Sequence, residues 1–180
     1  MGRRNTIDRG HVLEVAEQIV HEQGAGALTI DAVAKAAGIT KGGVQSCFGT
    51  KEGLVEAMLA RWMDRHDAEV ASKAPEDPSF LDLLRLHIKM TGSDDVDSQR
   101  RVAGLLSVLL QSPAHLERVR GWYADRTQFG SKKNAGSDAE LAFLATEGAF
   151  FLRYLGLVDY SDQQWRRIFG RIEALLEQGS

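Results

Sequence analysis

The chain of 180 residues is short of several residue types, and each shortage excludes something. One cysteine, Cys47, allows neither an internal disulfide nor a thiolate metal cluster within one chain. Beside Phe48 it reads as a small packing residue rather than a redox sensor. With three prolines, few positions forbid a helix from continuing. No apolar run approaches the roughly eighteen residues that a membrane span needs. The basic start, Met1-Gly2-Arg3-Arg4-Asn5, leads into no apolar signal core. A cytoplasmic protein without a membrane partner is the expectation. An excess of positive charge is missing too: 22 Lys and Arg face 25 Asp and Glu. Any grip on nucleic acid must come from donors placed locally, because bulk charge supplies none.

Motifs of catalysis are equally scarce. The five histidines (His11, His21, His66, His87 and His115) show neither i, i+4 pairing nor His-Glu-x-x-His spacing, so no metal site is expected. There is no phosphate-cradling loop, no dinucleotide fingerprint after a strand and no Gly-x-Ser-x-Gly elbow. The expectation is a protein that is not an enzyme and has no cofactor.

What the chain does have is helical periodicity almost throughout, with 43% hydrophobic and 26% charged residues. Val12, Val15, Ala16 and Ile19 follow i, i+3, i+4, i+7 and predict a first helix over Asp8 to Glu22, stopped by Gly24 and Gly26. Ile30, Val33, Ala34 and Ala37 repeat the stripe behind a Thr29 cap, with Asp31 favouring the helix dipole. Thr40 caps a short third helix carrying Val44 and Phe48, and Thr50 a fourth carrying Leu54, Met58 and Trp62, to about Ser72. After a break at Pro75 and Pro78, helices are predicted over 79–91, 95–111, 113–129, 138–156 and 162–178. Pro113 suits a first turn after a Ser112 cap, and 130–137 reads as a mobile loop. The fold class is all-α, with about nine helices and no sheet. The division expected is a helix-turn-helix DNA-binding domain at 1–52 and a helical ligand-binding and dimerisation domain at 53–180.

Three short capped helices, the second and third separated by Gly38-Ile39-Thr40, fit a helix-turn-helix. A recognition helix must be short, anchored by a few apolar residues and polar or small on its outer face. The third helix meets this. Val44 and Phe48 anchor it, leaving Thr40, Lys41, Gly43, Gln45 and Ser46 outward. Lys41 suits a phosphate or a guanine edge, and Gln45 suits adenine. Gly42 and Gly43 would let backbone approach DNA closely, at about 1 kcal/mol each in helix propensity. Lys51 at the next helix start, and Thr29 at the second, suit phosphate, and Arg3 and Arg4 suit a flexible arm. Singly, each threonine is better explained as a plain cap and each lysine as plain surface charge. As an ordered set they fit DNA better.

The stretch Leu28-Thr-Ile-Asp-Ala-Val-Ala-Lys-Ala-Ala-Gly-Ile-Thr-Lys-Gly-Gly-Val, followed by Phe48-Gly-Thr-Lys-Glu-Gly-Leu54, resembles the DNA-binding signature of the TetR (tetracycline-repressor) family, carried from about Ile7 to Trp62. The resemblance implies a homodimer whose third helices enter major grooves of a palindromic operator. By position, Thr40, Lys41, Gly43, Gln45, Ser46 and Lys51 match the family's DNA contacts, and Thr29 a phosphate contact. One departure stands out. The family usually has aromatic residues, often Tyr, just before the Phe, where this chain has Gln45, Ser46 and Cys47.

The remaining residues, about 120, resemble the family in architecture more than in sequence. The resemblance implies a small-molecule inducer site here and a dimer through the last two helices, 138–156 and 162–178. The first of these is apolar nearly all round. Leu141, Leu144, Ala145, Gly148, Leu152 and Leu155 lie on one side, and Phe143, Phe150 and Tyr154 on another. A monomer can cover one side and a second subunit the other. Glu147 falls on the aromatic stripe, where a carboxylate is costly unless paired. A lipophilic aromatic cation would pair it, as would Arg153 or a cation across the dimer; simple exposure is the remaining alternative. Further candidate pocket walls are Leu86, Met90, Leu106, Leu110, Trp122 and Phe129, each equally explicable as core. The reading is a ligand-released repressor. Its rival is a helical small-molecule binder that no longer binds DNA, favoured by the two glycines and the missing tyrosines.

Overall fold

The computed structural model describes residues 7–93, 96–109, 113–127 and 138–178. Leu110, Phe129, the Ser112 cap, the 130–137 loop and the Arg3–Arg4 arm lie outside the described residues. Those described form nine α-helices and one short 3-10 turn, with no strand among them. The helices are α1 (Arg9–Gln23), α2 (Ile30–Ala36), α3 (Lys41–Phe48), α4 (Lys51–Lys73), α5 (Phe80–Thr91), α6 (Val96–Leu109), α7 (Pro113–Thr127), α8 (Asp138–Tyr154) and α9 (Asp162–Gln178), and the turn is Ala25–Ala27.

The three expected threonine caps are in place: Thr29 accepts from Ala32 N–H, Thr40 from Gly43 N–H and Thr50 from Gly53 N–H. Asp8, expected inside the first helix, instead caps it, accepting from His11 N–H. Each satisfies one of the donors that a helix start leaves without an internal partner. Ser79 and Asp82 add a reciprocal capping box at α5. Gly38, between α2 and α3, has φ 67°, and Gly49, which ends α3, has φ 73°. Both lie in the left-handed region, which a side chain disfavours.

By packing, the chain forms two compact units: residues 1–64 with 104–116, and residues 65–103 with 117–180. In the first, Val12, Leu13, Ala16, Ile19 and Val20 of α1 are buried, as are Val33, Val44, Phe48, Leu54, Val55, Met58 and Leu59. The α1 stripe is displaced from the expected one: Val15 is only partly buried, and Leu13 and Val20 take its share. Arg61 of α4 ties back to α1, donating to the Gly10 carbonyl at 2.5 Å and to Glu14 at 2.6 Å. In the second unit α5, α8 and α9 share one cluster around Leu84, Ile88, Ala142, Trp165, Phe169 and Ile172. The buried face of α8 is built of small residues (Ala139, Ala142, Thr146 and Ala149) with Phe150, so its helix neighbours approach closely.

Candidate nucleic-acid interface and effector site

The α3 helix is anchored by Val44, fully buried, and Phe48, nearly so. Thr40, Lys41, Gln45 and Ser46 are exposed on it, as is Thr29 at the start of α2, while Lys51 is partly buried. The Thr40 hydroxyl oxygen accepts Gly43 N–H at 3.0 Å, which leaves its own O–H free to donate outward. Lys41 is held by an ion pair, its Nζ 2.8 Å from Asp31 Oδ2. Gly43 is also placed against its own unit. A Cβ there would lie 2.9 Å from Ile7 Cδ1 and 3.3 Å from Thr40 Oγ1, so the glycine admits close packing inside the unit. Gly42 has no such neighbour nearer than 4.0 Å.

Two residues that the sequence did not single out fix the end of α3 and the start of α4. Arg9 donates to the Cys47 carbonyl, and its guanidinium lies 4.6 Å from the Phe48 ring centroid. It thereby satisfies an end carbonyl of α3 from a different helix. Gly53 is the second: a Cβ on it would overlap the Phe48 carbonyl oxygen, so α4 can begin against the end of α3 only with glycine there. At the same helix start Glu52 is held below the usual carboxylate range, first by its own backbone N–H and then by the Thr50 hydroxyl.

In the second unit Glu147 is paired within the protein. His87 Nε2 lies 2.7 Å from Oε1, and the Tyr123 hydroxyl donates to Oε2 at 2.6 Å. The internal partner that spacing offered, Arg153, is elsewhere: it bonds Asp162 at 3.0 Å and lies 4.5 Å from the Trp165 ring. Burial, and then the neighbouring carboxylate, push the Tyr123 phenol well above its ordinary pKa, so it stays protonated and donates. Phe143 stacks on His87 at 5.7 Å and meets Tyr123 edge-on at 6.1 Å. Trp122 packs edge-on against Tyr123 at 5.1 Å and against His66 at 5.2 Å.

The aromatic stripe of α8 therefore divides. Phe143 and Glu147 join His87 and Tyr123, whereas Phe150 packs tilted against Tyr154 and Tyr154 meets Trp165 edge-on. Leu86 and Met90 are partly buried on α5, and Leu106 falls in the other compact unit. His87 and Tyr123 escaped the sequence reading because they lie 60 and 24 residues from Glu147. A usable signal existed. A carboxylate among aromatics demands donors, and His87 sits between Leu84 and Ile88, two of the buried positions of α5.

The outer face of α8 is uncovered. Leu141, Leu144, Leu152 and Leu155 are 54%, 59%, 37% and 40% exposed. Gly148, between them, has nothing within 4 Å of where a Cβ would stand. Among the described residues there is no group of His, Cys, Asp and Glu that could hold a metal ion, and no helix long and apolar enough to cross a membrane.

No curated protein matches the chain. Solved structures share its fold. A transcriptional regulator from Rhodococcus sp. Rha1 superposes with a TM-score of 0.73 at 17% identity, over 96% of this chain and 97% of that one. A second Rhodococcus protein, a TetR-family regulator, gives 0.72 at 17%, over 95% and 97%. The multidrug binding protein EbrR, complexed with ethidium, gives 0.61 at 18%, over 91% and 96%. Identities this low show the fold alone. The sequence itself carries the family. Residues 12–58 match the bacterial regulatory proteins of the tetR family, and residues 81–177, over half the chain, match the tetracyclin repressor-like C-terminal domain. With an N-terminal helix-turn-helix and a helical C-terminal domain that both carry its pattern, this chain belongs to the TetR family of DNA-binding transcriptional regulators.

Proposed function

We propose that the chain is a homodimeric repressor of palindromic operators, released by a small lipophilic cation. Residues 1–52 would bind DNA, and residues 53–180 would bind the effector and form the dimer. The observation that supports this most strongly is the two-sidedness of α3, with Val44 and Phe48 buried and Thr40, Lys41, Gln45 and Ser46 exposed. A free surface helix has no reason to keep a short polar face beside two glycines, and a groove-reading helix does. Gln45 and Lys41 read bases. Thr29, Thr40, Ser46 and Lys51 meet phosphate, and Gly43 lets the helix backbone approach the DNA closely.

Dimerisation covers the leucines of α8. Three exposed leucines on this 17-residue helix, with Leu155 just past its end, form a stripe whose burial stabilises by about 1.5–3 kcal/mol for each side chain taken fully out of water. Gly148 allows a second helix to approach closely.

The effector reading rests on Glu147. Its partners differ from the arginine that would cancel its charge: Tyr123 is a neutral phenol, and His87 carries charge only when protonated. The carboxylate remains a counter-ion set among Phe143, Tyr123 and Trp122, suited to a planar cation. EbrR, of the same fold, is complexed with such a cation, ethidium. Effector and operator then oppose each other with equal coupling free energies, each weakening the other's binding.

A duplex enriched by the purified protein from a random pool tests the DNA half. A salt-sensitive shift of a palindromic sequence is expected, and failure to enrich any duplex would favour the rival binder that has lost DNA recognition. For the effector half, Glu147→Gln should weaken ethidium binding by about tenfold while leaving neutral aromatic ligands unaffected. Equal loss for both ligand classes would remove the counter-ion role.

A further inference from the structure

The first 58 residues carry six Lys or Arg against seven Asp or Glu. The trihelical unit therefore lacks the positive excess with which most proteins hold DNA of arbitrary sequence. One of its cations is also engaged already. Lys41, the first residue of α3, lies with Nζ 2.8 Å from Oδ2 of Asp31, in the first turn of α2. Both side chains are more than half exposed, at 55% and 69%. An ion pair so exposed contributes little to stability, so its weight falls on the charge presented to a partner.

We infer that Asp31 is a positioning and specificity-determining residue, holding the Lys41 ammonium ready for a base edge and withholding it from the phosphates of arbitrary DNA. The inference rests on the reading of α3 as the groove-reading helix. An ammonium has three donors, so one directed at Asp31 leaves two for a guanine O6 and N7. A guanine edge is neutral and can share the ammonium with the carboxylate. A phosphate claims it only by bringing its own negative charge beside Asp31, a juxtaposition of like charges. The pair thus penalises backbone contact more than base contact. Gln45, one turn further along α3, would read the neighbouring base on the same face.

The test uses the full-length protein, a duplex it has enriched from a random pool and a scrambled duplex of equal composition, each titrated at several salt concentrations. Asp31→Asn keeps the side-chain shape and removes the charge. It should tighten binding to the scrambled duplex about fivefold near 0.1 M salt and steepen that salt dependence by about one counter-ion. Binding to the enriched duplex should change less, so selectivity falls. Asp31→Glu should restore it. In a Lys41→Ala background the Asp31→Asn effect should shrink to half or less, because there is no ammonium left to withhold. An equal change on both duplexes, or an undiminished effect without Lys41, would overturn the inference while leaving the groove-reading helix intact. Failure of the unaltered protein to enrich any duplex would overturn that reading and this inference together.

Discussion

Gly43 and Gly53 stand in the first turns of consecutive helices, yet they answer to different constraints. A Cβ on Gly53 would run into the Phe48 carbonyl, part of the backbone, which cannot move without unwinding the end of α3. A Cβ on Gly43 would meet the far end of the Ile7 side chain, which can turn aside. Gly53→Ala should therefore lower stability by about 2 kcal/mol, visible as a reduced melting temperature. Gly43→Ala should leave the melt unchanged or raise it, since alanine is worth about 1 kcal/mol over glycine inside a helix. A melt for Gly43→Ala as low as that for Gly53→Ala would mean that Ile7 is rigidly held. Tyr123→Phe acts at the same scale. It removes the donor to Glu147 Oε2 within a partly buried site, and should cost about 1–2 kcal/mol by leaving an acceptor without its partner.

At the scale of the element, the start of α5 is closed by a reciprocal box. The Ser79 hydroxyl donates to Asp82 Oδ2 at 2.6 Å, Ser79 N–H does so at 3.1 Å, and Asp82 N–H returns a bond to the Ser79 hydroxyl oxygen at 3.2 Å. The hydroxyl, and then the backbone N–H, hold the Asp82 carboxyl below its ordinary pKa. A carboxyl depressed in the folded state contributes its full stabilisation above its unfolded pKa. That contribution is lost as pH falls through the native value. The melting temperature of the unaltered protein should accordingly exceed that of Asp82→Asn near neutrality, and the gap should close below about pH 3. A gap constant across that range would show that the box acts through geometry alone. The Arg61 clamp between α4 and α1 is a second device of this scale. Lysine cannot serve the Gly10 carbonyl and Glu14 with a planar fork, so Arg61→Lys should destabilise the first unit by about 1–2 kcal/mol.

For the whole molecule, the decisive feature is the uncovered leucine face of α8. A charge placed on a two-fold interface enters it twice, as like charges facing each other. Leu144→Asp combined with Leu152→Asp should give a monomer in analytical ultracentrifugation and abolish cooperative operator binding, while the helical signal in circular dichroism persists. A dimer that survives both changes would place the interface on another surface.

Much of the architecture is legible in the amino-acid order alone. Helix number and order come from the recurrence of apolar residues and from capping threonines, which are local relations within four residues. The α3 face is decided in the same way, since Val44 and Phe48 are one turn apart and everything outward is polar or small. Relations that join distant segments were out of reach. Arg9 with Phe48, Arg61 with Gly10, and Glu147 with His87 and Tyr123 are each set by which helices pack together, and a single sequence does not encode its partners by spacing. Local periodicity says that a face must be covered, and that a carboxylate on it must be satisfied. Which helix arrives to do so depends on packing across the whole chain. That is why Glu147, for which spacing offered Arg153, stands instead between an imidazole and a phenol.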